Sequence, residues 1–192
     1  MLFRSRENRA NVAALARGQR LLDVYCYSGG FAITAAVAGA REIHAIDRSE
    51  PALALAGEAA AMNGVAERCK FERGDAFESL DRLGSAGERY DIVVADPPAF
   101  VKSKKDIGAG SRAYRKLARL AASCVAPGGF LFIASCSHNM EAGAFAEEVR
   151  RGLQDAARGG RILRSSGAAP DHPVHPHLPE SAYLKALLLQ LD

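Results

Sequence analysis

RLLDVYCYSGGFAITAAVAGAREIHAID, residues 20–47, is the stretch that decides the fold of this 192-residue chain. It begins with an apolar strand and passes through a Ser-Gly-Gly turn into a helix. It ends in a second apolar strand that Asp47 closes. This order predicts a βαβ unit, with two parallel strands and a helix packed on one face of the sheet. In such sheets, ligands bind where strands end and helices begin.

The turn and the acid after it predict a site for a nucleoside-bearing cofactor. Gly29 and Gly30 let backbone amides approach a ligand, and the helix that follows offers unpaired N–H groups. Asp47 stands 18 residues after Gly29 and suits the two hydroxyls of a ribose. A dinucleotide needs earlier glycines for its pyrophosphate, and large residues occupy those positions here. S-adenosylmethionine has no phosphate, and Asp23 is placed for its amino-acid end. The alternative is an ordinary glycine turn without a cofactor.

The composition is that of one globular domain. The chain is 48% hydrophobic and 24% charged, and its net charge of +3 permits an anionic partner. No apolar run has the length of a membrane span, and the first residues are too polar for a signal peptide. The four cysteines lack C-x-x-C spacing, so neither a metal site nor a disulfide framework is indicated. We expect a cytoplasmic protein.

Strands and helices alternate along the chain, which predicts a Rossmann-like α/β fold with a mostly parallel, doubly wound sheet. Two final strands without a helix between them predict an antiparallel C-terminal hairpin strand. Residues 1–19 form a basic N-terminal extension, and residues 20–192 form the main domain. We expect further helices over residues 8–16, 51–63, 76–83, 111–124 and 141–157, and further strands over residues 69–75, 90–96, 130–134, 161–165 and 183–191.

The end of the third predicted strand supplies an acid and an aromatic ring. Asp75 is placed to accept a hydrogen bond from an adenine amino group, and Phe77 is available for apolar contact. An aspartate that opens a helix also acts as an N-cap, which uses only one carboxylate oxygen. Both roles therefore remain open, and they are compatible.

The end of the fourth strand is a rigid Asp-Pro-Pro turn. Pro97 and Pro98 have fixed φ angles and no N–H groups, so they hold the carboxylate of Asp96 in one place. Enzymes that methylate amines often have Asn or Asp before Pro-Pro and an aromatic residue at this position. We expect Asp96 to bond a base and Phe100 to stack on it, and the alternative is a stiff connection alone.

The end of the fifth strand, Ser135-Cys136-Ser137, places a thiol at the same edge of the sheet. Carbon 5 of a pyrimidine is a poor nucleophile, but addition of a thiolate to carbon 6 makes it enamine-like and able to accept a methyl group. An acid at Asp96 assists by a hydrogen bond or proton to N3 of cytosine. Backbone amides at the strand–helix junction favour the thiolate of Cys136. We interpret the other three cysteines as buried bulk.

Five motifs are distributed along nearly the whole chain: DVYCYSGGFAI, AIDRSE, DPPAFVKSKK, APGGFLFIASCSH and DHPVHPHLPESAYLKALLL. Together they resemble the bacterial class I methyltransferases that make 5-methylcytosine in large-subunit ribosomal RNA. The resemblance implies that Cys136 is the nucleophile and that Asp96 lies at the target base. It also implies an S-adenosylmethionine site at Asp23, Ser28, Gly29 and Asp47. The predicted cofactor site extends to Tyr25, Gly30, Phe31, Arg48, Ser49, Asp75, Ala76, Phe77 and Asp96.

Members of that family usually carry an N-terminal RNA-binding PUA domain and a β-hairpin. FRSRENR, residues 3–9, resembles the tail of that hairpin, so we expect a catalytic domain without the PUA domain, either natural or truncated. A related family that methylates guanine also has Asp-Pro-Pro, but Cys136 stands where we expect its Asn. Two alternatives remain open: an N-methyltransferase without a covalent intermediate, and a catalytically silent cofactor-binding domain.

Two loops complete the predicted site. Residues 101–110 read as a mobile basic loop, in which Lys102, Lys104 and Lys105 suit RNA phosphates. The loop at residues 170–179 has three histidines, but its prolines keep the side chains from converging, so we predict no metal. Near it, we assign His172 to shaping the substrate site and Glu180 to removing the C5 proton, with solvent hydroxide as the alternative base.

Overall fold

The computed structural model describes residues 6–170, 172–178 and 181–192. Within them, seven strands form one sheet in the order β3-β2-β1-β4-β5-β7-β6. The strands are β1 (Arg20–Val24), β2 (Glu42–Asp47), β3 (Cys69–Arg73), β4 (Tyr90–Ala95), β5 (Val125–Ser135), β6 (Gly160–Ser166) and β7 (Lys185–Leu191). The strands β1 to β5 pair in parallel, and β7 runs antiparallel to both β5 and β6. The predicted Rossmann-like sheet and its antiparallel C-terminal strand are confirmed.

Helices alternate with the strands on both faces of the sheet. They are α1 (Arg6–Leu15), α2 (Gly30–Val37), α3 (Glu50–Met62), α4 (Ala76–Ser85), α5 (Ile107–Cys124) and α6 (Ala142–Asp155). Ser49 caps α3 as its sequence predicts, because its hydroxyl accepts a hydrogen bond from the amide of Ala52 and Pro51 follows in the first turn. Within the residues that the structure describes, none of the helices combines the length and apolar character that spanning a bilayer requires.

The core has two layers because side chains alternate between the faces of each strand. Along β5, Leu131 and Ile133 pack toward α4, α5 and α6, whereas Phe132 and Ala134 pack toward α1 and α2. The helix α1 belongs to the second layer, since Val12 is 1% exposed there. The division of the chain at residue 20 stays a prediction.

The region after the Asp-Pro-Pro turn differs from the prediction. Residues 101–110 do not form one loop, because a short 3-10 helix at Lys104–Asp106 leads directly into α5 at Ile107. The reason is a close approach that only glycine allows: a Cβ at Gly110 would lie 2.3 Å from Cγ2 of Val101. The first turns of α5 therefore rest on the segment that follows the prolines.

The strand β5 is also longer than predicted. It begins at Val125 rather than at residue 130, because Val125 already pairs with Tyr90 of β4. An irregularity between Tyr90 and Ile92 then shifts the register, and Phe130 pairs with Ile92. The run Pro127-Gly128-Gly129 lies inside this irregular start of the strand, where a bulge accommodates glycine.

Candidate active site

A cavity of about 290 Å³ opens at the carboxyl ends of the parallel strands. It lies where the ends of β1, β2, β4 and β5 meet, which is the expected place for a ligand in this type of sheet. The predicted site residues that line it are Tyr25, Ser28, Gly30, Phe31, Asp47, Arg48, Asp96, Pro98 and Cys136. The structure thus brings the predicted cofactor turn, the Asp-Pro-Pro turn and the thiol to one cavity.

Other predicted residues stand behind or beside this cavity rather than in its wall. These are Asp23, Gly29, Ser49, Asp75, Ala76, Phe77, Pro97, Phe100, Lys102, Lys104, Lys105 and His172. Several of them support residues in the wall through direct contacts.

The turn after β1 has an unusual backbone that requires one glycine. Tyr25, Tyr27 and Gly29 all have positive φ angles, of 63°, 50° and 78°. Two tyrosines in this region store strain of roughly 1–3 kcal/mol each, which is typical of ligand-binding loops. A Cβ at Gly29 would lie 2.9 Å from Cδ1 of Ile33 and 3.2 Å from Cβ of Ala56. The turn therefore has no room for a larger residue at Gly29.

Asp47 holds this turn in place through both carboxylate oxygens. Oδ2 accepts a hydrogen bond from the amide of Tyr27 at 2.8 Å, and Oδ1 accepts one from the amide of Ser49 at 2.9 Å. Each carboxylate oxygen has a second lone pair. Asp47 lines the cavity, so these lone pairs suit hydroxyl donors of a ligand.

Asp23 lies behind the cavity and is 1% exposed. Its Oδ2 accepts a hydrogen bond from the amide of Ala32 in the first turn of α2, at 3.1 Å. Burial raises the pKa of Asp23 well above its usual value, and the nearby carboxylates of Asp96 and Asp47 raise it further. Burial and these two neighbours therefore favour the protonated form of Asp23.

Asp75 caps α4 with one oxygen and faces Arg48 with the other. Oδ1 accepts hydrogen bonds from the amides of Phe77 and Glu78, and Oδ2 lies 3.0 Å from a guanidinium nitrogen of Arg48. The predicted cap is confirmed. The contact to adenine stays a prediction, and Arg48 already occupies the oxygen that would make it.

Phe100 packs in a cluster of aromatic rings beside the cavity. Its ring centroid lies 6.3 Å from that of Tyr25, 5.9 Å from that of Phe77 and 4.8 Å from that of Tyr114. These contacts fix the chain just after the Asp-Pro-Pro turn. Pro98, rather than Phe100, forms part of the cavity wall, so stacking of Phe100 on a base stays a prediction.

Cys136 lies beside the Asp-Pro-Pro turn. Its thiol donates a hydrogen bond to the carbonyl oxygen of Pro97, with 3.7 Å between sulfur and oxygen. The two serines around it are fully buried and share one tyrosine: the hydroxyls of Ser135 and Ser137 each lie 2.8 Å from that of Tyr114. This network holds the backbone on both sides of Cys136.

The same network joins the fourth and fifth strand ends. The hydroxyl oxygen of Ser137 accepts a hydrogen bond from the amide of Val101 at 3.0 Å. Val101 follows the aromatic residue of the Asp-Pro-Pro-Ala-Phe motif and is 1% exposed. Buried hydroxyls with several partners fix one geometry, so Asp96 and Cys136 belong to a single rigid unit.

Sequence reasoning missed several residues at this site. Arg9, Cys26, Tyr27 and Leu184 line the cavity, and Tyr114 and Lys185 contact the Ser-Cys-Ser segment. Arg9 comes from α1, whose basic character alone did not single it out. The apolar run that follows Lys185 in β7 would have marked it as a cation that opens a buried strand.

The basic segment after the prolines is exposed but ordered. The side chains of Lys102, Lys104 and Lys105 all face solvent. The hydroxyl and amide of Ser103 both bond to the carboxylate of Asp106, which forms a capping box. Lys104 and Lys105 thus project from a short helical turn, and Lys102 projects from the segment before it.

In the histidine-rich loop, His172 contacts a residue just before β7, and His175 bonds Ser181 and His177. Nε2 of His172 lies 3.0 Å from the hydroxyl of Tyr183. Glu180, the predicted base, lies outside the described residues. Within those residues, there is no group of three His, Cys, Asp or Glu side chains arranged to hold a metal ion.

The sequence matches the family model for S-adenosylmethionine-dependent methyltransferases over residues 1–190. The chain therefore belongs to the S-adenosylmethionine-dependent methyltransferase family, and S-adenosylmethionine is its cofactor. The site fits this group, because the cavity wall holds carboxylate acceptors for a ribose at Asp47 and an apolar side chain at Phe31.

Among curated relatives, the chain is 37% identical over 186 residues to Ribosomal RNA large subunit methyltransferase I of Aeromonas hydrophila, covering 96% of this chain and 47% of the relative. It is 39% identical over 188 residues to Ribosomal RNA large subunit methyltransferase of Deinococcus radiodurans, covering 97% and 46%. The chain thus spans about half the length of the curated relatives it matches.

Solved structures support the fold. SMU.776, a proposed methyltransferase crystallised with SAH, superposes with a TM-score of 0.85 at 22% identity, covering 97% of this chain and 49% of that one. A methyltransferase from Streptococcus mutans superposes with a TM-score of 0.83 at 23% identity, covering 97% and 48%. At these identities the likeness shows the fold alone.

Proposed function

We propose that this protein methylates carbon 5 of a cytosine in large-subunit ribosomal RNA through a covalent adduct with Cys136. One observation carries the proposal: Cys136 and Asp96 line the same cavity as the residues of the cofactor turn. The names of the relatives from Aeromonas hydrophila and Deinococcus radiodurans support a ribosomal RNA substrate.

The cofactor would lie along the turn after β1 and against Asp47, the last residue of β2. Asp47 would accept the two ribose hydroxyls, and the turn at Ser28, Gly29 and Gly30 would offer backbone amides. Ser49 would hold Asp47 in place through its amide. When bound, S-adenosylmethionine supplies an electrophilic methyl group to the cavity. The adenine of the cofactor would contact Asp75, Ala76 and Phe77. Arg48 already bonds one carboxylate oxygen of Asp75, so the adenine amino group would have to share that oxygen with it.

Cys136 and Asp96 would then activate the cytosine. The Cys136 thiolate adds to carbon 6, and Asp96 donates a proton or hydrogen bond to N3, which makes carbon 5 nucleophilic. A base removes the C5 proton after methylation, so that the Cys136–carbon bond breaks and the thiolate leaves. We assign this last role to Glu180. The Pro97 carbonyl orients the thiol, and Pro98 borders the base.

Cys136 is a better candidate than the other cysteine in the cavity wall. Cys26 is 6% exposed, and its thiol faces the carbonyl of Tyr27. Burial raises the pKa of Cys26, and the carboxylates of Asp23 and Asp47 raise it further. A thiol in that environment stays protonated, so it is a poor nucleophile.

The exposed lysines and the loop histidine would contact the RNA. Lys102, Lys104 and Lys105 would neutralise phosphates, while Phe100 and His172 would shape the pocket for the base. If each lysine neutralises one phosphate of single-stranded RNA, reversing all three charges lowers the salt slope of log K by about 2. The matched control reverses three exposed cations that do not line the cavity, Arg41, Lys70 and Arg161. An equal loss in both triple variants would contradict specific phosphate contacts.

A mechanism-based trap tests the reaction. Large-subunit ribosomal RNA transcribed with 5-fluorocytosine cannot lose a proton from carbon 5, so the adduct persists. We expect a covalent protein–RNA complex with the wild type and with Cys69→Ala, and none with Cys136→Ala. Methylated RNA from Cys136→Ala would instead indicate an N-methyltransferase. Absence of both cofactor and RNA binding would indicate a silent domain.

A further inference from the structure

Lys185 opens β7 directly beside the Ser-Cys-Ser segment. It pairs with Ser135 in the antiparallel register between β5 and β7, and the residue before it, Leu184, lines the cavity together with Cys136. Lys185 also lines a second cavity of about 460 Å³, which shares Leu184 with the first. The lysine thus stands between the thiol segment and a separate opening to solvent.

The ammonium group of Lys185 binds the chain that follows Cys136. Nζ donates a hydrogen bond to the carbonyl of Ser137 at 2.6 Å and a second to the carbonyl of Met140. An ammonium group has three donors, so it can bond both carbonyls at once. Burial lowers the pKa of Lys185, whereas Glu141 and Cys136 act on it in the opposite direction. By position, Lys185 contacts the residues on both sides of Cys136, since it pairs with Ser135 and bonds the carbonyl of Ser137.

We propose that Lys185 is a positioning residue for Cys136: it ties down the chain after the cysteine and stabilises the thiolate form of its side chain. This inference rests on the proposed function, since it explains how the Cys136 nucleophile becomes available. A nearby cation favours a thiolate because the two charges attract in a partly dry environment.

Lys185 is well placed for this task among the charged groups near Cys136. Asp96 shares the cavity with the thiol but brings no positive charge, and the Tyr114 hydroxyl is bonded to Ser135 and Ser137. The remaining ionisable groups that line the two cavities are Arg9 of α1, Tyr25, Cys26 and Tyr27 after β1, Asp47 at the end of β2, Arg48 after it, and His138 and Glu141 between β5 and α6.

The test measures the thiol itself, without RNA or cofactor. Purified protein is alkylated with iodoacetamide across a pH series, and the rate at the Cys136 peptide is followed by mass spectrometry. Three variants separate the roles of Lys185: Lys185→Gln keeps a donor for the carbonyls without the charge, Lys185→Arg keeps both, and Lys70→Met removes an exposed cation from the opposite edge of the sheet.

We expect the wild-type alkylation midpoint to lie below about 8.5, the ordinary value for cysteine. Lys185→Gln should move the midpoint up by about one pH unit and slow alkylation below it roughly tenfold. Lys185→Arg should restore most of the rate, and Lys70→Met should change nothing. A wild-type midpoint at or above the ordinary value, or an unchanged midpoint in Lys185→Gln, overturns the inference.

This outcome is distinguishable from failure of the proposed function. A Lys185-dependent midpoint without any trapped RNA adduct would leave the inference standing and remove the cytosine chemistry. A trapped adduct with an unchanged midpoint in Lys185→Gln would support the cytosine chemistry and overturn the role of Lys185. Thermal unfolding of each variant shows whether the fold has survived, and the wild-type midpoint remains decisive if Lys185→Gln does not fold.

Discussion

The hydroxyl oxygens of Tyr114 and Ser137 lie 2.8 Å apart, and both side chains are fully buried. Through this contact α5 reaches the segment that carries Cys136. The same tyrosine hydroxyl also accepts a hydrogen bond from Ser135, on the other side of the cysteine. One phenol group therefore fixes the backbone around the proposed nucleophile.

Removing that hydroxyl should weaken both stability and reactivity. Tyr114→Phe keeps the ring contacts but leaves two buried serine hydroxyls with fewer partners, at a cost of about 1 kcal/mol. We expect a lower midpoint in urea unfolding and slower formation of the 5-fluorocytosine adduct. Tyr90→Phe is the control, because its buried hydroxyl bonds His44 and neither residue lines the cavity. Equal effects of the two variants would count against a special role for Tyr114.

Gly29 should be intolerant of any side chain. Its φ of 78° disfavours a residue with a Cβ, and that atom would lie 2.9 Å from Ile33. We expect Gly29→Ala to lower the free energy of unfolding by about 1–3 kcal/mol. Gly57→Ala is the matched control within α3, where an added Cβ meets nothing within 4 Å. It should raise the free energy of unfolding by about 0.4–1 kcal/mol.

Asp47 should determine the affinity for S-adenosylmethionine. Asp47→Asn removes the charge and one acceptor, so the variant cannot serve the Tyr27 amide, the Ser49 amide and two ribose hydroxyls at once. We expect a loss of about 2 kcal/mol, or roughly a thirtyfold higher Kd, in calorimetric titration. Asp81→Asn, on the exposed surface of α4, should bind normally. Unchanged affinity in Asp47→Asn would remove Asp47 from the cofactor site.

Asp23 should lower the free energy of unfolding as the pH rises, whereas aspartates in ion pairs have the opposite effect. Its pKa is raised in the folded state, chiefly by burial, so the folded protein binds this proton more tightly than the unfolded chain does. Stability from this group is therefore highest near and below the ordinary pKa of an aspartate. It declines as the pH rises toward the folded value. We expect Asp23→Asn to match the wild type near pH 4 and to exceed it in unfolding free energy at pH 8.

Asp155 provides a control, because its pKa shift is opposite in direction to that of Asp23. Its pKa is lowered by a hydrogen bond from Arg115, so the wild type gains stability from this group above the ordinary pKa and loses it as the pH falls. Asp155→Asn should therefore be the less stable variant at neutral pH and should approach the wild type in acid. Urea unfolding at several pH values distinguishes the two patterns. The same trend in both variants would contradict the assignment for Asp23.

Much of the fold follows from the sequence because the decisive signals are local. Ser49 and Pro51 mark the start of α3, and Asp75 marks that of α4, since caps and fixed φ angles act within a few residues. The apolar run of β4 indicates a strand buried on both faces. Because parallel strands end at one edge of the sheet, their order also predicts that Asp47, Asp96 and Cys136 meet.

The tertiary structure decided what depends on contacts between distant segments. Gly110 lies in the first turn of α5, where Val101 leaves no room for a side chain. No local sequence pattern predicts this contact between the two segments. Likewise, Lys185 reaches the carbonyl of Ser137 only because β7 inserts beside β5. The sequence by itself determined which residue types stand at the strand ends. Packing alone decided which of them line the cavity, because burial and hydrogen bonds join residues far apart in the chain.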